Sequence, residues 1–475
     1  VDLGSTAYSF KDAYIQGNLK IGDTSGATYF QFPATMGGAG QVLEVPSTGN
    51  TLIWSTMLSS SGSDSYVFPV QNSSLYIGVY NPSTNSEYSN ALANTSVGIE
   101  ALISVTTGDY NIAIGNSALT TLTTGSYNTT VGYEAGKVLT TGQGHTLMGY
   151  KAGTALTTGM TLNTFIGYKA GTATTSGSSN VFVGKGAGED NTEGVGNVYL
   201  GTNSGTAQID GNYNVGIGFA ALVQDTEGGS NIAIGTNALY AYNAANGYNI
   251  AVGHQAGYAL STGQGNVFLG YRAGQFQTTA TGNVAIGYEA LKTETTSAYN
   301  TAVGYQALKT QDGGTSNTAV GYLAGTAITT GDNNTLMGYD AGKAINSGQY
   351  NITIGSNAGE ALTTAERQVA IGYNAMITED DDTFGSVAIG YEAMKLATSG
   401  SRQVAIGTYC LDALTTGTSN VAVGGSAAGG ITTGNYNVAI GSSALYAEDT
   451  QGYCVAIGYR SLFTQNAGST PYNTA

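Results

Sequence analysis

Residues 300–323 read NTAVGYQALKTQDGGTSNTAVGYL, and the hexapeptide that opens at Asn300 opens again at Asn317, seventeen residues later. Working outward on the motif Asn-x-x-x-Gly, starts fall at Asn94, Asn111, Asn128, His145, Asn163, Asn180, Asn197, Asn214, Asn231, Asn249 and Asn266. They continue at Asn283, Asn300, Asn317, Asn334, Asn351, Gln368, Ser386, Gln403, Asn420, Asn437 and Cys454. The step is 17 residues throughout, lengthened to 18 at 145–163, 231–249 and 368–386. Twenty-two repeats at a fixed period are the sequence mark of a solenoid or array.

One period predicts one coil. With Asn as position 0, position 1 is Val, Ile or Thr and position 3 is Ile, Val, Leu or Met, as in Val284 and Ile286. Side chains alternate along a strand, so these two share a side and are expected to form a buried face. Position 4 is glycine, which suits a corner. Position 7 is usually Ala, followed by Gly or Leu, and the period closes on phrases such as Leu139-Thr-Thr-Gly142. The coil therefore reads strand, corner, short second strand, turn, and the fold class is all-β, a parallel β-solenoid or β-roll of about 22 coils. At a strand spacing of ~4.8 Å the stack is about 100 Å long. Stacking sets Asn on Asn, in a column that can hydrogen-bond along the axis. No 3.6-residue apolar stripe runs through the period, so helices are not expected.

Position 2 lies on the other side of the strand and is also apolar: Ala113, Leu147, Phe165, Phe182, Tyr199, Ala233, Phe268, Ala285, Ala302, Ala319, Leu336 and Ala370. A strand apolar on both faces is usually buried on both. Either a second layer of the coil covers position 2 or identical chains meet there. The second arrangement is preferred, with Ala113, Leu147, Phe165, Phe182, Tyr199, Phe268, Ala285, Ala302 and Ala319 as a trimer seam.

Composition narrows the function. The chain has 475 residues, 72 of them glycine, with 9% charged and a net charge of −16 that forms no basic stripe, which argues against nucleic acid as a partner. No apolar stretch approaches the ~20 residues that span a bilayer. Low charge predicts stability insensitive to salt. The chain opens at Val1 without an initiator Met or signal pattern and stops at Asn473-Thr-Ala475, part-way through a repeat. Both features suggest a longer parent chain or subunits joined end to end.

Candidate sites are few. Tyrosine fills position 5 at Tyr133, Tyr150, Tyr168, Tyr271, Tyr288, Tyr305, Tyr322, Tyr339, Tyr373, Tyr391 and Tyr459. Such a row is either a glycan-contact face or a structural ladder in which each ring covers the next. Threonine pairs such as Thr140-Thr141 and Thr329-Thr330 point to opposite sides, unlike the shared face an ice-binding array needs, and turn propensity explains them. The acidic run Glu379-Asp-Asp-Asp382 lacks the spacing of a calcium loop. Cys410 and Cys454, with His145 and His254, form no zinc pattern, and three coils between the cysteines are too many for a disulfide. Gly184-Lys-Gly-Ala-Gly188 is followed by no helix that could make it a phosphate loop. Glu134, Glu289 and Glu392, all at position 6, lack a consistent carboxylate partner for glycoside cleavage. No catalytic centre, metal site or cofactor is expected, and the chain reads as a non-enzyme.

Segments such as Asn283-Val-Ala-Ile-Gly287 with Tyr288-Glu-Ala-Leu291, and Ser386-Val-Ala-Ile-Gly390 with Tyr391-Glu-Ala-Met394, resemble the head repeats of trimeric autotransporter adhesins. Those heads are trimeric parallel β-rolls with a shorter period, and here neither a coiled-coil stalk nor a membrane anchor is visible. The repeats are also similar to those of bacteriophage tail fibres and other virion fibres. Leu3-Gly-Ser5, Phe10-Lys-Asp12, Tyr14–Leu19 with Ile21-Gly22, then Ala39–Leu43 and Gly49–Trp54, look like phrases of phage tail-fibre proteins. The resemblance implies a homotrimeric virion fibre, extracellular or on the virion, with residues 1–73 as attachment or shaft module and 74–475 as the rod. Implied partners are copies of itself, other virion or fibre proteins and a host glycan or receptor. The alternatives are a cell-surface adhesin that binds glycans along its own rows, and a self-assembling extracellular filament.

Overall fold

The computed structural model describes residues 91, 93–157, 162–245, 247–378, 385–447, 449–464 and 474–475, with strands at 41–44, 53–56, 66–69 and 75–78. The sequence phrases at residues 3–22 and the acidic run 379–382 lie outside the described residues. β1 (Gln41–Glu44) and β2 (Ile53–Thr56) pair antiparallel and overlap the two later tail-fibre-like phrases. β3 (Tyr66–Pro69) pairs antiparallel with β4 (Leu75–Gly78), and β4 runs parallel to β5 (Thr95–Val97). From β5 to β26 (Val455–Ile457) the 22 strands form one parallel ladder in chain order, each three residues long. Register is that of the repeat, as in Thr301↔Thr318 and Ala302↔Ala319. Thr474 pairs in parallel with Val455, one more step along the ladder. The protein is thus an all-β parallel β-solenoid with a 17-residue period, and no helix occurs among the described residues.

The sidedness of the strand is the reverse of the sequence expectation. In every repeat strand the middle residue is buried and its two neighbours are half-buried or exposed, as in Ile112–Ile114 and Val284–Ile286. Ala113, Leu147, Phe165, Phe182, Tyr199, Phe268, Ala285, Ala302 and Ala319 are all 0% exposed within a single chain. They fill the solenoid's own interior and are not available as a seam between chains. The reason is parity: position 0 turns the same way as position 2, and the interior closes around both. Positions 1 and 3 face outward.

The remainder of the coil also differs from expectation. No second strand follows the corner, because positions 6, 8 and 16 adopt the left-handed conformation, as in Ser117 (φ 55°), Leu119 (φ 50°) and Tyr127 (φ 62°). Position 7 N–H donates to the position 4 carbonyl (Ala118 to Gly115, 3.3 Å), and position 11 to position 8 (Leu122 to Leu119, 3.2 Å). The first is a type II-like turn, which requires positive φ at its third residue. Each left-handed non-glycine residue costs roughly 1–2 kcal/mol. Axial hydrogen bonds offset this all the way round, for example Leu119 N–H to Ala135 C=O at 3.1 Å and Thr123 N–H to Thr140 C=O at 2.8 Å.

Columns of stacked residues fill the interior. The buried asparagines form the expected ladder: Asn317 N–H donates to Asn300 Oδ1 at 2.9 Å, and Asn317 Nδ2 donates to Gly331 C=O of its own coil at 2.7 Å. Replacements keep the rung, since Ser386 N–H donates to Gln368 Oε1 at 2.7 Å and Cys454 N–H to Asn437 Oδ1 at 2.9 Å. A second column pairs position 2 with position 8 by volume. In many coils a small position 2 residue faces a large position 8, as with Ala113 and Leu119, or Ala388 and Met394, although Ala251 and Ala319 sit opposite Gly257 and Gly325. Phe165, Phe182 and Tyr199 instead face Gly171, Gly188 and Gly205, where a Cβ would lie 2.5 Å from each ring.

Candidate interaction surface

The outward side of the ladder is built from positions 1 and 3 of 22 strands: Val, Ile or Thr at position 1 and Val, Ile, Leu or Met at position 3. None is charged. Several are well exposed, including Ile112 (39%), Met148 (39%), Met337 (43%) and Ile440 (39%). With strands ~4.8 Å apart and ~3.3 Å per residue, the strip is about 100 Å long and 10 Å wide, roughly 1,000 Å². Monomeric proteins rarely leave contiguous apolar patches above a few hundred Å² uncovered.

Tyrosine borders the strip on both sides. Beyond the position 4 glycine stand the position 5 tyrosines. Before the buried Asn stand those of position 16, including Tyr127 (63% exposed) and Tyr299 (69%). The position 5 rings stack: Tyr271, Tyr288, Tyr305, Tyr322 and Tyr339 lie 5.1 Å apart in succession, with planes 5–11° from parallel. Tyr133, Tyr150 and Tyr168 form a second run at 5.4 and 5.1 Å, and Tyr373 stacks on Tyr391 at 5.2 Å. Tyr459 stands 75% exposed near the far end. A ring whose two faces are taken by neighbours offers a ligand only its edge and hydroxyl; this holds for Tyr150, Tyr271, Tyr288, Tyr305 and Tyr322, whereas Tyr133, Tyr168, Tyr339 and Tyr373, at the ends of the stacked runs, are stacked on one face.

The position 6 carboxylates are engaged in ion pairs. Glu134 meets Lys137 at 2.7 Å and Lys151 at 3.3 Å; Glu289 meets Lys292 at 2.6 Å and Lys309 at 2.9 Å; Glu392 meets Lys395 at 3.0 Å. Burial pushes the Glu289 carboxyl up, but the two ammonium groups outweigh it and hold it at about 2. Cys410 and Cys454 are buried and in no disulfide, and burial pushes Cys410 up to about 12, which removes its thiolate reactivity. Among the described residues no three His, Cys, Asp or Glu side chains converge as metal ligands, and no helix is long and apolar enough to cross a membrane. Threonines of position 12 spend their hydroxyls on the next coil, as Thr140 Oγ1 does on Thr157 C=O at 3.0 Å.

Sequence reasoning therefore located the tyrosine row but missed its companion at position 16 and placed the apolar surface on the wrong side of the strand. The signal for the second row was present in Tyr110, Tyr127, Tyr213, Tyr248 and Tyr299, each immediately before the repeat Asn. No protein-family model matches the chain, and neither a curated protein nor a solved structure is significantly similar to it.

Proposed function

We propose that this protein is a structural fibre: a homotrimeric shaft, extracellular or on a virion, that holds a host-recognition end away from its base. The observation that carries the proposal is the uncharged strip at positions 1 and 3, uncovered along the whole ladder and edged by tyrosine. An apolar centre with amphipathic aromatic margins is the anatomy of an interface between chains. At roughly 1,000 Å² per chain, three strips meeting about a common axis reach the size of obligate interfaces. Parallel chains about that axis keep all equivalent ends together, as a projecting shaft requires. The number three and the virion setting come from the likeness of the repeats and of the early phrases to trimeric adhesin heads and tail fibres.

The test is disruption of the strip with the coil left intact. Val284→Glu with Ile286→Lys, repeated at Val387 and Ile389, puts charges on the outward side of two strands. The expected result is release of monomers that retain their far-ultraviolet β signature. Trimers that persist, or a wild-type chain that is monomeric, overturn the proposal. The adhesin alternative requires sugar rings on tyrosine faces, and within the stacked runs those faces are occupied by neighbouring rings, leaving only the run ends and Tyr459, so it is not preferred.

A further inference from the structure

Among the described residues the interior column at position 11 turns polar over two stretches. It is Leu122, Leu139 and Leu156 near one end and Ile328, Ile345 and Leu362 further on, but Asn191, Gln208 and Asp225 interrupt it, and then Gln277, Glu294 and Gln311. All six are 0% exposed. Asp225 Oδ1 accepts Gly228 N–H at 2.7 Å, while Oδ2 has no hydrogen-bond partner. Glu294 Oε1 accepts Thr296 N–H at 3.0 Å and Ser297 N–H at 2.7 Å, while Oε2 has none. The next coil after Glu294 presents Gln311 Oε1, a buried acceptor without a donor. Among the described residues no Lys, Arg or His forms an ion pair with either carboxyl.

The charged groups facing these carboxyls make ionisation worse. Glu227 adds negative charge beside Asp225 and Asp312 does so beside Glu294; the phenols of Tyr199 and Tyr242 also face Asp225 but are neutral, and are themselves raised by burial and by Asp225. An ionised carboxylate there keeps an unpaired oxygen in an apolar interior, whereas the neutral acid has a proton to donate. We propose that Asp225 and Glu294 are internal proton-binding sites that lock their stretches of coil while protonated and loosen them when the proton leaves.

The direction of the pH effect follows. Burial, opposed by the Gly228 and Glu227 N–H groups, pushes the Asp225 carboxyl up to about 7. Burial also raises Glu294 against the N–H groups of Ser297 and Thr296. A carboxyl raised in the folded chain binds a proton that the unfolded chain releases. Its coil is therefore most stable in acid, loses stability as pH climbs from the ordinary carboxylate value towards about 7, and stays weakened above. The rod acquires two internal joints, near residues 208–242 and 277–311, that loosen as pH rises from acid towards neutrality.

Amide hydrogen exchange of the full chain at pH 5 and pH 8, corrected for intrinsic exchange rates, tests this directly. Relative to the leucine-filled coils 122–156, exchange at pH 8 should rise by about ten-fold or more in 208–242 and should also rise in 277–311. Asp225→Asn and Glu294→Gln should remove that rise, and so should Asp225→Leu and Glu294→Leu, which restore the filling of the neighbouring coils. A rise equal along the whole rod, or one that survives in the folded variants, overturns the proposal.

Discussion

At the scale of single residues, the period is written in steric exclusions. The position 4 glycine is fixed twice over: Gly424 has φ +133°, and a Cβ there would stand 2.7 Å from the backbone carbonyl of Gly441 in the next coil. Gly265, at φ +65°, has nothing within 4 Å of its Cβ direction. Gly424→Ala should therefore destabilise by about 3 kcal/mol or more, and Gly265→Ala by only about 1 kcal/mol, a contrast that thermal melting resolves. The volume pairing of positions 2 and 8 makes a second prediction. Phe165→Ala should cost about 3–5 kcal/mol, and Gly171→Leu should clash with the Phe165 ring, yet the double variant should recover most of the loss in a denaturation cycle. Leu119 adopts φ 50° at the equivalent place, so the backbone accepts the exchange.

At the scale of the coil, polar groups hold the register that apolar groups fill. Asn300 takes the N–H of Asn317 at 2.9 Å and gives its own amide to Gly314 C=O at 3.1 Å. Asn300→Ala leaves the buried Asn317 N–H without a partner, while Gly314 C=O still accepts from Gln311 Nε2, for a loss of about 1–3 kcal/mol measured by denaturant titration. His145 indicates what is tolerated, since Asn163 N–H still reaches its Nδ1 at 3.4 Å; Asn300→His should lose less than the alanine variant. The Glu289 carboxyl, held at about 2 by Lys292 and Lys309 against burial, works in the opposite pH direction to Asp225. Its stabilising contribution is present above the ordinary glutamate value of 4.5 and is lost as pH falls towards 2. Glu289→Gln should lower the melting temperature at pH 7 and leave it unchanged near pH 2. The period, the Asn column and the glycine corner were all legible in the sequence because each is a fixed residue type at a fixed step. The inside of the coil was not, since alternation defines two faces without saying which is enclosed, and large Val and Ile at positions 1 and 3 outweighed small Ala at position 2. The parity of Asn and the exchange of Phe165 against Gly171 carried the answer, but only once the two positions were compared coil by coil.

At the scale of the whole molecule, one fact dominates: a ladder of 22 strands carries an apolar, uncharged side that its own chain does not cover. The sequence implied that one face of the strand meets something beyond the coil and put that face at position 2; position 2 is enclosed by the coil itself, so the proposed self-association stands on positions 1 and 3. The native mass of the purified full chain, by light scattering coupled to size separation, tests that claim most directly. Three times the 48.2 kDa chain mass, with rods on the order of 100 Å long in electron micrographs, is the predicted result. A stable monomer at the same concentration would contradict it.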